Sequence, residues 1–118
     1  MGNIEQKKEN NQTILDLVSW FSPNRLSQEK EIVKILYSES LKEYFQSKTT
    51  LSKEQLITTL IELRADATTL VKEEELFQQL SGIANRLLAN KAVDLKEVLE
   101  YLSSKSKEYK EIIIKRKR

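Results

Sequence analysis

The chain contains almost none of the residues that build tight turns: two Gly and one Pro among 118 residues. A β-sheet protein of this length needs a turn roughly every eight to twelve residues, and those turns are usually made from Gly, Pro, Asn and Asp. Lys, Glu, Leu and Gln are abundant instead, and all four favour the α-helix. The sequence therefore predicts an all-α protein, a compact bundle of about five helices in a single domain.

Cysteine and histidine are both absent. Their absence excludes disulfides, a thiolate nucleophile, an imidazole base, the usual zinc sites and carboxylate–histidine di-iron centres. Glu62 and Asp66 lie one helical turn apart, but Asp66 is about 80° from the apolar stripe of its helix and does not point inward. We therefore predict a protein that is not an enzyme and has no metal, no cofactor and no small-molecule substrate.

No apolar run in the sequence approaches the roughly 18 residues of a membrane span. The chain also lacks a basic and then apolar signal peptide at its start. The expectation is a cytoplasmic protein without a membrane partner.

The ends of the chain differ in character from its middle. Residues 1–11 are polar and without helical periodicity, which predicts a flexible N-terminal arm. A helical domain is expected over residues 12–114, followed by a basic tail over residues 115–118. The first helix should span residues 13–21 and stop before Pro23, which disfavours a helical residue ahead of it.

The second and third helices are predicted from caps and apolar spacing. Ser27 is the expected N-cap of the second, whose stripe comprises Val33, Leu36, Tyr37, Leu41, Tyr44 and Phe45. Ser52 and Gln55 have the spacing of a capping box, which starts the third helix. The stripe of this third helix comprises Leu56, Leu60, Leu63, Ala67 and Leu70.

Two further helices complete the predicted bundle. The apolar residues that follow the third helix do not continue its spacing, so we expect a break at residues 68–72. A fourth helix should follow, with Asn90 just beyond its end. Asp94 then opens the fifth helix, with Glu97 at the capping-box position. This helix should place Ile113 on the buried stripe, with Ile112 and Ile114 at its margins, and fray after about Ile114.

Positive charge is concentrated at the C-terminus. Residues 105–118 carry seven Lys/Arg against two Asp/Glu, a net charge of +5, whereas residues 1–104 carry thirteen against sixteen, net −3. Such a cluster attracts a nucleic acid or another anionic surface by neutralising phosphates, and it requires no sequence readout. The predicted phosphate-binding residues are Lys105, Lys107, Lys110, Lys115, Arg116, Lys117 and Arg118.

Other interpretations of this segment remain open. Bases in the last turn of a helix complement its dipole and keep the end soluble. The β-branched run of Ile112 to Ile114 could also pair with the sheet edge of a partner. Trp20 has three possible roles: it packs in the core at the end of the first helix, it stacks with a nucleic-acid base, or it serves, with Ile112 and Ile114, as an anchor for a protein partner.

These features leave two functional hypotheses. The first is a non-catalytic subunit of a larger nucleic-acid-containing assembly, bound through the RNA or DNA backbone and through protein subunits. In size, helix content and lack of catalytic residues the chain resembles the small helical subunits of CRISPR effector complexes. The second is a protein-binding module, either an inhibitor or an adaptor, and here the chain is similar in build to the helical bacteriocin immunity proteins. Both likenesses are of build, so no site residues follow from them.

Overall fold

The computed structural model describes residues 2–26, 28–46 and 51–117, except for the side chains of residues 2–8, Ser40 and Glu43. These residues form six helices and no strand: α1 Gly2–Trp20, α2 Glu29–Leu36, α3 Glu39–Gln46, α4 Lys53–Thr69, α5 Glu73–Leu88 and α6 Leu95–Arg116. The predicted all-α bundle is confirmed. No helix in the described part of the chain carries an apolar stretch that could cross a membrane.

Helix α1 is longer than the sequence indicates. It begins at Gly2 and ends at Trp20, just before Pro23, whereas we expected helix from residue 13. Extending an existing helix adds one hydrogen bond per residue without the cost of nucleation, so a polar segment rich in Lys, Glu and Gln can continue it. The flexibility of residues 1–11 stays a prediction.

The predicted second helix is two helices, α2 and α3, separated at Tyr37 and Ser38. Leu36 and Leu41 are both fully buried, yet five residues of continuous helix would place them about 140° apart. The interruption between α2 and α3 changes the direction in which the following side chains point, so both leucines reach the core. The predicted stripe is wrong at two positions, because Val33 and Tyr37 are exposed and Ile32 is buried instead. Its other four residues are buried or pack against the core, as predicted: Leu36, Leu41, Tyr44 and Phe45. The predicted N-cap, Ser27, lies outside the described residues.

Helix α4 begins as predicted. Gln55 N–H donates to Ser52 Oγ at 3.1 Å, and Ser52 N–H donates to Gln55 Oε1 at 2.8 Å, which completes the capping box. The predicted stripe is confirmed, because all five of its residues are buried: Leu56, Leu60, Leu63, Ala67 and Leu70.

The expected break between α4 and α5 is a Schellman turn with an unusual residue at its centre. Lys72 N–H donates to Ala67 O at 2.8 Å and Val71 N–H to Thr68 O at 3.1 Å, the paired bonds of this motif. Val71 has a φ of 56°, in the left-handed region that β-branched residues disfavour. Asn90, at φ 62°, ends α5 in the same way and confirms the expectation for that residue.

Replacing Val71 with Gly should raise the free energy of unfolding by about 1 kcal/mol, because glycine adopts the left-handed region without strain. Val71 is 84% exposed, so the substitution removes no core packing. Urea denaturation followed by circular dichroism measures the change. Asn90→Gly is the matched control and should change stability less, since Asn tolerates this conformation. An equal gain at both positions would contradict the assignment of strain to Val71.

Helix α6 extends beyond the predicted fraying point. Asp94 caps it, accepting a hydrogen bond from Lys96 N–H at 3.0 Å. At the other end Lys117 N–H donates to Ile113 O and Ile114 O, each at 3.2 Å. The expectation that the helix ends near Ile114 is therefore corrected. Cationic side chains in the last turn favour this extension, because they offset the negative end of the helix dipole.

One hydrophobic core joins the helices. Helices α4 and α6 pack most closely, and α1 contacts α2, α3, α5 and α6. Every one of the six helices contributes fully buried aliphatic side chains, among them Ile14, Ile32, Leu36, Leu41, Leu60, Leu80 and Leu102. The long α6 is thus fixed along one side while its last turn reaches solvent.

Candidate functional site

Two of the predicted phosphate-binding lysines are held in ion pairs. Lys105 Nζ lies 2.9 Å from Glu108 Oε2, and the hydrogen bond to Glu108 is the main cause of a raised pKa for Lys105. Lys110 forms an ion pair with Glu62 of α4. These lysines balance carboxylates within the protein, so they contribute less to an external phosphate contact than the sequence indicates.

The remaining described bases are exposed: Lys107, Lys115, Arg116 and Lys117. No ion pair involves them within residues 51–117 or the other described segments. We call Lys115, Arg116 and Lys117 the terminal cation cluster. Because they are consecutive, each side chain is rotated by about 100° from the next, so the three point in different directions around the end of the helix. Arg118, also predicted as a phosphate contact, lies outside the described residues.

The terminal cation cluster sits where the helix dipole is negative. Its charges therefore stabilise the end of α6 in the free protein, which is the first of the alternatives raised by the sequence. Because this local role leaves the side chains exposed, it is compatible with a second role toward an outside anion.

The three isoleucines before the cluster differ in exposure. Ile112 and Ile113 are half-buried and pack against the core, whereas Ile114 is 55% exposed. Ile113 is therefore less buried than its position on the stripe predicts. The run is helical through Arg116, and its backbone groups are used within α6. Pairing with a sheet edge would require this part of the helix to unfold, which corrects that interpretation.

Trp20 lies in the core and not on a partner surface. Its side chain is 2% exposed, its Nε1–H donates to Gln28 O at 3.2 Å, and its ring meets Phe21 edge-to-face with centroids 5.0 Å apart. Burial of this large ring at the end of α1 corrects the prediction that Trp20 anchors a partner.

Arg64 has a role that the sequence does not reveal. From α4 its guanidinium donates to Trp20 O at 2.6 Å, to Arg25 O at 2.9 Å and to Ser22 O at 3.3 Å. It also lies 5.3 Å from the Trp20 ring centroid. Partial burial lowers the pKa of this guanidinium, but an arginine remains charged at neutral pH. Arg64 thus satisfies carbonyl groups at the end of α1 and in the loop that follows.

The acidic pair on α4, Glu62 and Asp66, lies near Lys110. Glu62 binds Lys110, while Asp66 Oδ2 is buried and has no hydrogen-bond partner within the described residues. Burial raises the pKa of Asp66, partly opposed by the nearby Lys110. Among the described side chains no group of three potential ligands surrounds a metal position.

Replacing Asp66 with Asn should increase stability at neutral pH relative to the wild type. An aspartate with a raised pKa in the folded state holds its proton to higher pH than in the unfolded state, so wild-type stability falls as pH rises through the acidic range. The gain from Asp66→Asn should therefore grow between about pH 3 and pH 6. Urea denaturation at both pH values tests this, with Glu111→Gln as an exposed control. A gain that shrinks with rising pH would contradict the burial of Asp66.

Comparison of the chain with models of protein families, with curated proteins and with solved structures finds no match.

Proposed function

We propose that the protein is a non-catalytic helical subunit that contacts the backbone of a nucleic acid through the end of α6. The observation that carries this proposal is the terminal cation cluster: Lys115, Arg116 and Lys117 are consecutive, exposed and without ion pairs among the described residues. Lys107 adds a fourth exposed base on the same helix. Charges on flexible side chains neutralise phosphates without reading bases.

The small number of available cations sets the expected strength of this contact. With Lys105 and Lys110 engaged by carboxylates, four of the predicted cations remain among the described residues, enough to neutralise about four phosphates. Non-specific binding of this kind is weak at physiological salt, with dissociation constants of about 10⁻⁴ to 10⁻⁶ M. A subunit with such a contact works best within a larger assembly, where neighbouring proteins hold it beside the nucleic acid and raise the effective concentration.

The salt dependence of binding tests this proposal. For mixed-sequence duplex, the logarithm of the association constant should fall with the logarithm of salt concentration with a slope of about −3 to −4. The triple substitution K115Q/R116Q/K117Q should make this slope shallower by about 3, because each lost phosphate contact removes about 0.9. Fluorescence anisotropy of a labelled duplex measures both values.

The control removes the same charge elsewhere. K30Q/K34Q/K91Q replaces exposed lysines outside α6 and should change the slope by less than about 1. Equal effects of the two triple variants would mean that net charge, and not the end of α6, governs binding. A duplex affinity that does not change with salt would overturn the proposal.

A protein-binding module is the second candidate, supported by the exposure of Ile114. This side chain is 55% exposed beside half-buried Ile112, and an apolar centre within a polar rim is typical of a protein contact. Weak nucleic-acid binding at every salt concentration, unchanged by the loss of the terminal cation cluster, would favour this candidate over the first.

A further inference from the structure

Helices α5 and α6 follow each other in sequence but leave a groove between them. Tyr101 donates its hydroxyl to Gln79 Oε1, and a connection of only six residues, 89–94, joins the helices, so they run antiparallel. They nevertheless lack the close backbone approach seen between α4 and α6. The groove has a volume of about 440 Å³, which is enough to receive a row of side chains.

The walls of the groove are two regular helical rows. The α5 row has the spacing i, i+4, i+7 and consists of Gln79, Ile83 and Arg86. The α6 row has the spacing i, i+4, i+8 and consists of Glu97, Tyr101 and Lys105. Val93, which is half-buried, adds apolar surface, and the buried Val98 forms part of the floor. The α6 row spans about 12 Å, which is two turns of helix.

On each helix, the row that lines the groove lies beside the buried residues of the same helix. On α5 the groove row lies about 40° to 100° around the helix from the mean direction of Leu76 and Leu80, which are buried. Ile83 and Tyr101 are only half-buried although they pack against the core. Both helices therefore extend apolar surface past the core into the groove, where no described element covers it.

The charges at the rim have both signs. Arg86 and Glu97 are exposed, and neither forms an ion pair within the described part of the chain. Lys105 is already balanced by Glu108. A simple anion would be attracted by Arg86 and repelled by Glu97, so the rim suits an occupant that carries both an acid and a base.

We propose that the groove between α5 and α6 binds an amphipathic helix of a partner protein. The apolar side of that helix would pack on Ile83, Val93 and Tyr101, while an acidic and a basic side chain at its edges would meet Arg86 and Glu97. This arrangement has the form of helix-in-groove recognition, in which apolar residues at i, i+3, i+4 and i+7 act as anchors. It is independent of the phosphate contact at the end of α6.

Two designed peptides test the charge complementarity. Both are 18-residue amphipathic helices with the same leucine row; in one the edge residues are Glu, and in the other they are Lys. Arg86→Glu should weaken binding of the Glu peptide and strengthen that of the Lys peptide, each by about fivefold or more, and Glu97→Lys should do the reverse. Lys107→Glu and Glu111→Lys carry the same charge changes outside the groove and should alter each affinity by less than twofold.

The apolar contact is tested at the groove wall. Ile83→Asp should weaken both peptides at least tenfold, and circular dichroism checks that this half-buried position tolerates the change. Ile83→Ala provides a milder version if it does not. K115Q/R116Q/K117Q should leave the affinity for an uncharged-edge peptide unchanged, which separates this proposal from the phosphate contact.

Three outcomes would overturn the inference. One is that neither peptide binds at millimolar concentration. The second is that the control substitutions act as strongly as those at the rim. The third is self-association in sedimentation velocity that Ile83→Asp abolishes, which would make a second copy of this chain the occupant.

Discussion

Replacing Trp20 with Ala should lower the free energy of unfolding by about 3–5 kcal/mol, the usual cost of removing a large aromatic side chain from a core. The ring is 2% exposed and packs against Phe21, and its N–H bond to Gln28 O would also be lost. Urea denaturation followed by circular dichroism measures the change.

Two other variants test whether the loss of stability comes from removing a buried ring. Leu26→Ala removes a side chain that is 94% exposed and should change stability by no more than about 0.5 kcal/mol. Trp20→Phe keeps an aromatic ring and should cost less than Trp20→Ala, so it is the variant to use if the alanine protein does not fold. A Trp20→Ala protein as stable as the wild type would place the ring outside the core and return it to the partner surface.

Replacing Arg64 with Ala should cost about 2–3 kcal/mol. Hydrogen bonds to charged groups contribute about 1.5–3 kcal/mol each, but the carbonyls of Ser22 and Arg25 lie near solvent and can bind water when the guanidinium is removed. The contact with the Trp20 ring would be lost as well. The same denaturation measurement applies.

The Arg64→Lys variant shows whether the positive charge of Arg64 or the shape of its guanidinium group stabilises the protein. The lysine keeps the positive charge, but a single ammonium group cannot reproduce the planar fork that reaches carbonyls of Trp20, Ser22 and Arg25. We expect at least half of the alanine effect. Arg86→Lys, at an exposed arginine without an ion pair among the described residues, should leave stability unchanged. Full stability of the Arg64→Lys protein would show that only the charge matters.

Features encoded within a few neighbouring residues were predictable. The capping box of Ser52 and Gln55, the left-handed Asn90 and the cap at Asp94 each depend on a backbone group no more than four residues away. The α4 stripe was predictable for a related reason, since helical periodicity alone determines which of its side chains share a face.

Features that depend on distant residues were not predictable from one sequence. Whether α2 and α3 form one helix depends on where α1 and α4 place the core that Leu36 and Leu41 must reach. The partner of Lys110 is 48 residues away, on α4, so the sequence could not show that this lysine is already balanced. The same reason applies to Arg64, whose three acceptors precede it by 39 to 44 residues. The groove between α5 and α6 likewise requires knowing how far apart two predicted helices lie.

The buried ring at the end of α1 also gives the protein a built-in optical reporter. Trp20 is the only tryptophan in the chain, so the entire indole emission of the protein arises at the junction of α1, the loop after it and α4. In the native protein this emission should be blue-shifted and shielded from acrylamide. It should move to longer wavelength when α1 separates from α4, which makes detachment of the first helix visible by itself, without a label.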